Sequence, residues 1–262
     1  FGVVSRYNPV VMYESYQPLM DYLTETTPYR FELKLGKNYD EDVRFLEQGL
    51  TQVALLGVVT YLEAHARFGA MPILKTLNQN GEPFYHGVVV VREDSDIQTL
   101  ADLKGRSFCF AAVHSTSSNL FGRYSLMEAG VRIQDLSTYI HLKHHDQVAK
   151  AVLTGQYDAV AIKDIVARRY ASQGLRLLQV SNSIPSIPIV VRQDAPIDLV
   201  THVKQALLKF RTYVVENDTE LWDEEFRYGF VEASDKDYTF IRKMLNTIPG
   251  RCGDSCHPSL AF

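Results

Sequence analysis

Gly87-Val88-Val89-Val90-Val91-Arg92-Glu93-Asp94 returns later in the chain as Ile189-Val190-Val191-Arg192-Gln193-Asp194, and this recurrence organises the sequence. Both runs are apolar stretches of strand length closed by charged residues, as buried strands are. Two similar strands around the middle third are expected where a chain leaves one lobe, builds a second and comes back. The reading is two α/β lobes joined by a two-strand hinge, with a ligand cleft between them. Lobe 1 is discontinuous, residues 1–90 and 190–262, and lobe 2 is the insert, 91–189. At 262 residues the chain is also longer than a single core of about 100–150 residues requires.

Outward from the brackets, helical and strand periods alternate. Phe1–Val4 reads as a strand, the polar Arg6-Tyr7-Asn8-Pro9 as a turn, and Tyr13–Thr24 as an amphipathic helix carrying Tyr16, Leu19, Met20 and Leu23. Phe31–Leu35 alternates apolar with charged residues as a half-exposed strand does. Tyr39–Gly49 and Thr60–Phe68 read as helices, Val53–Gly57 and Ile73–Leu77 as strands, an order that argues for a largely parallel sheet. Within the insert, Ser107–Ala111, Ala159–Ile162 and Leu175–Val180 read as strands, with helices over Asn119–Ala129 and Val148–Thr154. Helices are expected again over Asp198–Asn217, Leu221–Phe230 and Tyr238–Thr247. No Pro, Gly or Ser linker separates the lobes.

Bulk properties exclude several classes. Hydrophobic residues make up 46% and charged residues 22%, values of an ordinary globular chain, and the net charge of −4 provides no basic field for nucleic acid or an anionic membrane surface. The longest apolar runs fall far short of the roughly 20 residues that cross a bilayer. Phe1–Ser5 has neither the basic region nor the cleavage site of a signal peptide, so the natural start is expected upstream. No Gly-rich phosphate loop, Gly-x-Ser-x-Gly elbow or His-Glu-x-x-His pair is present, and the chain is not expected to be an enzyme or to need a metal or cofactor.

Chemistry concentrates at Val113-His114-Ser115-Thr116-Ser117-Ser118-Asn119, between the Ser107–Ala111 strand and the helix that follows. A helix start exposes unpaired N–H groups and a partial positive charge, and hydroxyls there add donors for a tetrahedral anion. One hydroxyl suffices for a cap; four in succession exceed that need.

The neighbouring blocks complete a pattern. Gln98-Thr99-Leu100-Ala101-Asp102-Leu103-Lys104-Gly105-Arg106 precedes the strand, and Ser115-Thr116-Ser117 follows it. His144-His145-Asp146, then Ala149, Ala151-Val152 and Gly155-Gln156-Tyr157-Asp158-Ala159, follow in the same register. Together these resemble the phosphate/phosphite/phosphonate-binding family of type II periplasmic substrate-binding proteins of ABC transporters. The resemblance implies a small oxyanion held by Ser115, Thr116, Ser117 and His145, with Tyr85 as a wall contact. It also implies capture by lobe closure, presentation to an ABC permease, and a periplasmic or membrane-anchored extracellular location.

Departures from the pattern open alternatives. Leu55-Leu56-Gly57 stands where phosphonate-binding members carry an aromatic, and the acidic residues that greet an aminoalkyl group are not clearly reproduced, which argues against 2-aminoethylphosphonate. Cys109 lies in the strand feeding the loop. It reads as a small buried hydrophobe or, through arsenite-sensing relatives of the family, as a soft-ligand thiolate in a sensor that signals to a two-component histidine kinase. Cys252-Gly253-Asp254-Ser255-Cys256-His257 has one residue too many between its cysteines for c-type haem attachment. A disulfide loop is the plainer reading, and a haem- or redox-linked domain the weaker alternative.

Overall fold

The computed structural model describes residues 1–216 and 222–248. In chain order the elements are β1 (Gly2–Val3), α1 (Pro9–Thr26), α2 (Tyr39–Glu47), β2 (Val53–Leu55), α3 (Val58–Phe68), β3 (Met71–Thr76), β4 (Phe84–Tyr85) and β5 (Gly87–Arg92). There follow β6 (Ser107–Phe110), α4 (Phe121–Glu128), β7 (Thr138–His141), α5 (His145–Leu153), β8 (Ala159–Lys163), α6 (Asp164–Ala171), β9 (Leu175–Val180) and β10 (Ile184–Pro185). The chain then runs through β11 (Pro188–Val191), α7 (Ile197–Glu216), β12 (Phe230–Glu232) and α8 (Thr239–Thr247).

Two compact units result. Residues 1–84 and 185–240 form the first and residues 85–184 the second, to which 241–248 also belong. The boundaries fall inside β4 and β10, two short strands that pair with each other.

The two recurring strands belong to different sheets. β5 lies within the second unit's sheet, antiparallel to β8 and β9, while β11 is the central strand of the first unit's sheet, antiparallel to β2 and β3. The recurring phrase arises because both strands are covered on both faces, so both read as unbroken apolar runs. Assignment of 241–248 to the second unit likewise departs from the expected lobe 1.

The first unit carries the sheet order β1-β2-β11-β3-β12, with β1 and β2 parallel. α1 starts earlier than its apolar period indicates, because Asn8 accepts from the N–H of Val10 and Pro9 opens the first turn. Phe31–Leu35 forms no strand: a single bridge joins Gly2 to Lys34, although Phe31 and Leu33 are buried. Among the described residues 222–230 the helix expected over Leu221–Phe230 does not form, since residues 224–228 turn and Phe230–Glu232 adds the edge strand β12 beside β3.

Behind β1, the Arg6 guanidinium is buried against Glu225, the Tyr16 hydroxyl and, at 3.5 Å, Asp223. Asp42 accepts from the backbone N–H of Ser5 at 3.0 Å and of Gly36 at 2.6 Å. Burial pushes the Asp42 carboxyl up to about 7 against these bonds, which favour its charged form.

The second unit carries the order β7-β6-β8-β5-β9. β6 runs parallel to β7 and β8, and β5 antiparallel to β8. Alternation splits its core cleanly. Val88, Val90, Cys109, Val160 and Ile162 face α5 and α6, while Val89, Val91, Phe108, Phe110, Ala159 and Ala161 pack against Phe121 and Leu126 of α4.

Candidate functional site

Parallel pairing brings the carboxyl ends of β6, β7 and β8 to one edge of the second unit's sheet, and antiparallel β5 begins at that edge. In open α/β sheets such edges are where ligands bind. The chain leaving β6 forms the hydroxyl loop, the chain leaving β7 reaches His145, β8 ends at Lys163, and β5 begins at Gly87.

The helix after β6 begins at Thr116, earlier than its sequence period indicates, with one wide π turn over Thr116–Leu120 running into α4. Ser115 caps it: its Oγ accepts from the N–H of Ser118 at 3.3 Å and lies 3.2 Å from Nε2 of His145. The Ser118 hydroxyl serves the fold, accepting from the N–H of Ala111 at 2.7 Å to close the loop onto β6. Ser117 differs from both. It is 4% exposed, and among the described residues its hydroxyl has no hydrogen-bond partner within the protein. A donor so placed at a helix start is suited to an oxygen of a bound anion.

Residues that the sequence reading left aside shape this loop. The Asn119 side chain donates to the carbonyl of Val113 at 2.6 Å and accepts from Nε of Arg123 at 2.8 Å. His141 Nε2 lies 3.0 Å from the same amide oxygen, which can only accept, so His141 carries its proton there. Arg123 is 8% exposed, lies over the rings of Phe110 and Tyr139, and makes no ion pair among the described residues. Burial depresses its pKa, and burial together with the Arg123 charge lowers His141 to about 4. The loop therefore sits over a buried cation and a neutral imidazole.

Tyr85, at the end of β4, is buried with its ring 3.9 Å from Nζ of Lys163. Lys163 is itself 6% exposed. Its signal in the sequence was an apolar strand, Ala159-Val160-Ala161-Ile162, closed by a lysine. Arg123 gave no signal of its own, because a helical arginine is ordinarily solvent-facing.

Cys109, the candidate soft ligand, lies in the core. Its side chain is fully buried among Val88, Val90, Val148 and Val160, on the opposite sheet face from the residues that pack on α4. Burial pushes its thiol up to about 12, which favours the protonated form. Cys252, Cys256 and His257 lie outside the described residues. Among the described residues no group of three or more His, Cys, Asp or Glu side chains converges as a metal site, and no helix is long and apolar enough to cross a membrane.

Comparison with known proteins gives a consistent picture. A family model described as the periplasmic substrate-binding protein of phosphonate ABC transporters matches residues 1–238. The phosphate-import protein PhnD of Mycolicibacterium smegmatis is 29% identical over 155 residues, 55% of this chain and 48% of that one, so the chain spans about half the length of the curated relative it matches. PhnD1 of Prochlorococcus marinus, solved with methylphosphonate, superposes with a TM-score of 0.84 at 18% identity, covering 94% of this chain and 96% of that one. A binding protein component of an ABC phosphonate transporter from Pseudomonas aeruginosa gives a TM-score of 0.81 at 19% identity, covering 93% and 84%.

Proposed function

Because the chain belongs to the family of periplasmic substrate-binding proteins of phosphonate ABC transporters, with the two α/β lobes of type II periplasmic binding proteins, we propose that it captures a phosphorus oxyanion for import. Ser115, Thr116, Ser117 and His145 hold the anion, Tyr85 lines the site, and an ABC permease receives the ligand on the periplasmic side of the membrane. The observation that carries this reading is Ser117, 4% exposed with its hydroxyl uncommitted among the described residues, two residues from the Ser115–His145 contact.

The arrangement selects by geometry. Hydroxyl donors and first-turn N–H groups match the oxygens of a tetrahedral anion, and the helix dipole favours negative charge, so the chain's overall charge of −4 is no obstacle. The contact of Ser115 with His145 places a hydroxyl and an imidazole together as hydrogen-bonding groups for one anion.

A thermal-shift panel of phosphate, phosphite, methylphosphonate, sulfate, arsenate and arsenite, followed by calorimetry, tests the proposal. A ligand at 100 times its Kd adds about 2.7 kcal/mol of stability. Stabilisation by one or more phosphorus oxyanions is expected; silence from all three removes the function.

A further inference from the structure

We infer, resting on the reading of Ser115–Ser117 as the anion loop, that Arg123 is a positioning residue of that loop. We infer further that its buried charge makes the loop favour doubly ionised phosphorus oxyanions over singly ionised ligands of the same shape. The guanidinium acts from behind the loop, through Asn119 and through its field, without touching the ligand.

Close packing of helix on sheet puts Arg123 there. α4 approaches the sheet at Gly122, where a Cβ would lie 2.8 Å from that of Ala161 and 3.0 Å from the Phe110 ring. The next residue is thereby brought over β6 and β7, its guanidinium 5.5 Å from the Phe110 ring centroid and 5.8 Å from that of Tyr139. Helical side chains lean toward the N-terminus, and at about 1.5 Å of rise per residue Arg123 starts within about 9 Å of Ser117 along the axis. Its Nε reaches the side-chain oxygen of Asn119, whose nitrogen holds the carbonyl of Val113. Two hydrogen bonds in series thus tie the guanidinium to the start of the hydroxyl loop.

Burying a guanidinium is costly, and a helix position that only fills space between two rings is served by an apolar side chain. The rings and the Asn119 oxygen offset part of that cost, but among the described residues no carboxylate pairs with Arg123. His141 shares the Asn119 oxygen and is kept neutral, so it adds no second charge. Ser115, Thr116, Ser117, Ser118 and Asn119 are all buried, which leaves little solvent to screen the field between Arg123 and the first turn. At such a separation one unit of ligand charge changes affinity by about tenfold or more. Hydroxyls and first-turn N–H groups meet the three oxygens of a phosphonate and of a sulfonate alike, so the second negative charge is what Arg123 distinguishes.

Calorimetric titration at a pH above the second ionisation of methylphosphonate, with methanesulfonate as the singly charged ligand of the same shape, tests the inference. Wild type should bind methylphosphonate at least about tenfold more tightly than methanesulfonate. Equal affinity for the two overturns the inference without need of any variant. Arg123→Gln keeps a donor for Asn119 and loses the charge; it should weaken methylphosphonate about tenfold or more, while Arg123→Lys should stay within about threefold of wild type. The His141 ring, followed by NMR, should titrate higher in Arg123→Gln and stay depressed in Arg123→Lys, which reports whether the charge is in place. Wild-type affinity in Arg123→Gln overturns the inference, and so does an equal loss in the two variants, which is what a structural role produces. If wild type binds no phosphorus oxyanion, the function falls and the inference with it; if wild type and Arg123→Gln bind methylphosphonate equally, the function stands alone.

Discussion

Arg123 donates from Nε to the side-chain oxygen of Asn119 at 2.8 Å, and this bond orients the amide on which the hydroxyl loop hangs. With its oxygen turned to Arg123 and His141, the amide nitrogen can face only the carbonyl of Val113. Asn119→Leu removes the shared acceptor and leaves the buried Arg123 donor unmatched, at about 1–3 kcal/mol, and the half-buried His141 donor as well, so a loss is expected in chemical denaturation. Asn119→Asp keeps the acceptor and pairs with Arg123. It should be the more stable of the two variants yet bind anions weakly, because it neutralises the buried cation and gives up the bond to Val113. Equal affinity of Asn119→Asp and wild type for methylphosphonate would show that the loop needs neither.

Adjacent serines should separate affinity from stability. Ser117→Ala is expected to leave the unfolding free energy within about 0.5 kcal/mol of wild type while weakening anion binding by about 1–3 kcal/mol, since its hydroxyl has no partner in the protein. Ser118→Ala should do the reverse, costing about 1–3 kcal/mol of stability by stranding the buried N–H of Ala111. Paired calorimetry and urea unfolding read both, and a Ser117→Ala protein with wild-type affinity would remove Ser117 from the site.

The ring of His141 should titrate near pH 4, well below the ordinary 6.5. Between these values the unfolded chain takes up a proton that the folded protein refuses, so this contribution to stability is intact above about 6.5 and is lost as pH falls toward 4. Asp42 acts in the opposite sense. Raised to about 7, it keeps a proton in the folded state that the unfolded chain has released from about 3.8 upward, and its contribution declines as pH rises through that window. Imidazole NMR titration checks the first assignment, and Arg123→Met should move His141 back toward its ordinary value. A wild-type His141 titrating near 6.5 would contradict the buried, Arg123-facing geometry.

Cys109 should resist alkylation in the folded protein and react once denatured, because its thiol is fully buried and held protonated. Peptide mapping distinguishes it from Cys252 and Cys256. Cys109→Ser should cost about 1–3 kcal/mol by placing a hydroxyl in the apolar core while leaving anion affinity unchanged. Rapid native alkylation, or arsenite binding lost in Cys109→Ser, would restore the soft-ligand reading.

Local features of the sequence survived folding where short-range physics governs them. Ser115 before a helix and the alternation of Phe108, Cys109 and Phe110 appear in the structure as their periods and capping preferences require. The recurring apolar phrase misled because burial on both faces makes any central strand read alike: β5 and β11 share a composition without sharing a sheet. Phe31–Leu35 misled for the complementary reason, since alternation reports which side chains are buried and cannot supply a neighbouring strand to bond.

By itself the sequence determined many of the helices and central strands, the α/β class and the hydroxyl-rich helix start, because each depends on residues within a turn or a strand of one another. Only the tertiary structure decided which of those hydroxyls is uncommitted. It also turned Asn119 by a bond from Arg123, set Cys109 away from α4 and its hydroxyl loop, and carried Lys163 to the edge where β6, β7 and β8 end. These outcomes follow from strand pairing and burial, which join residues far apart in the chain.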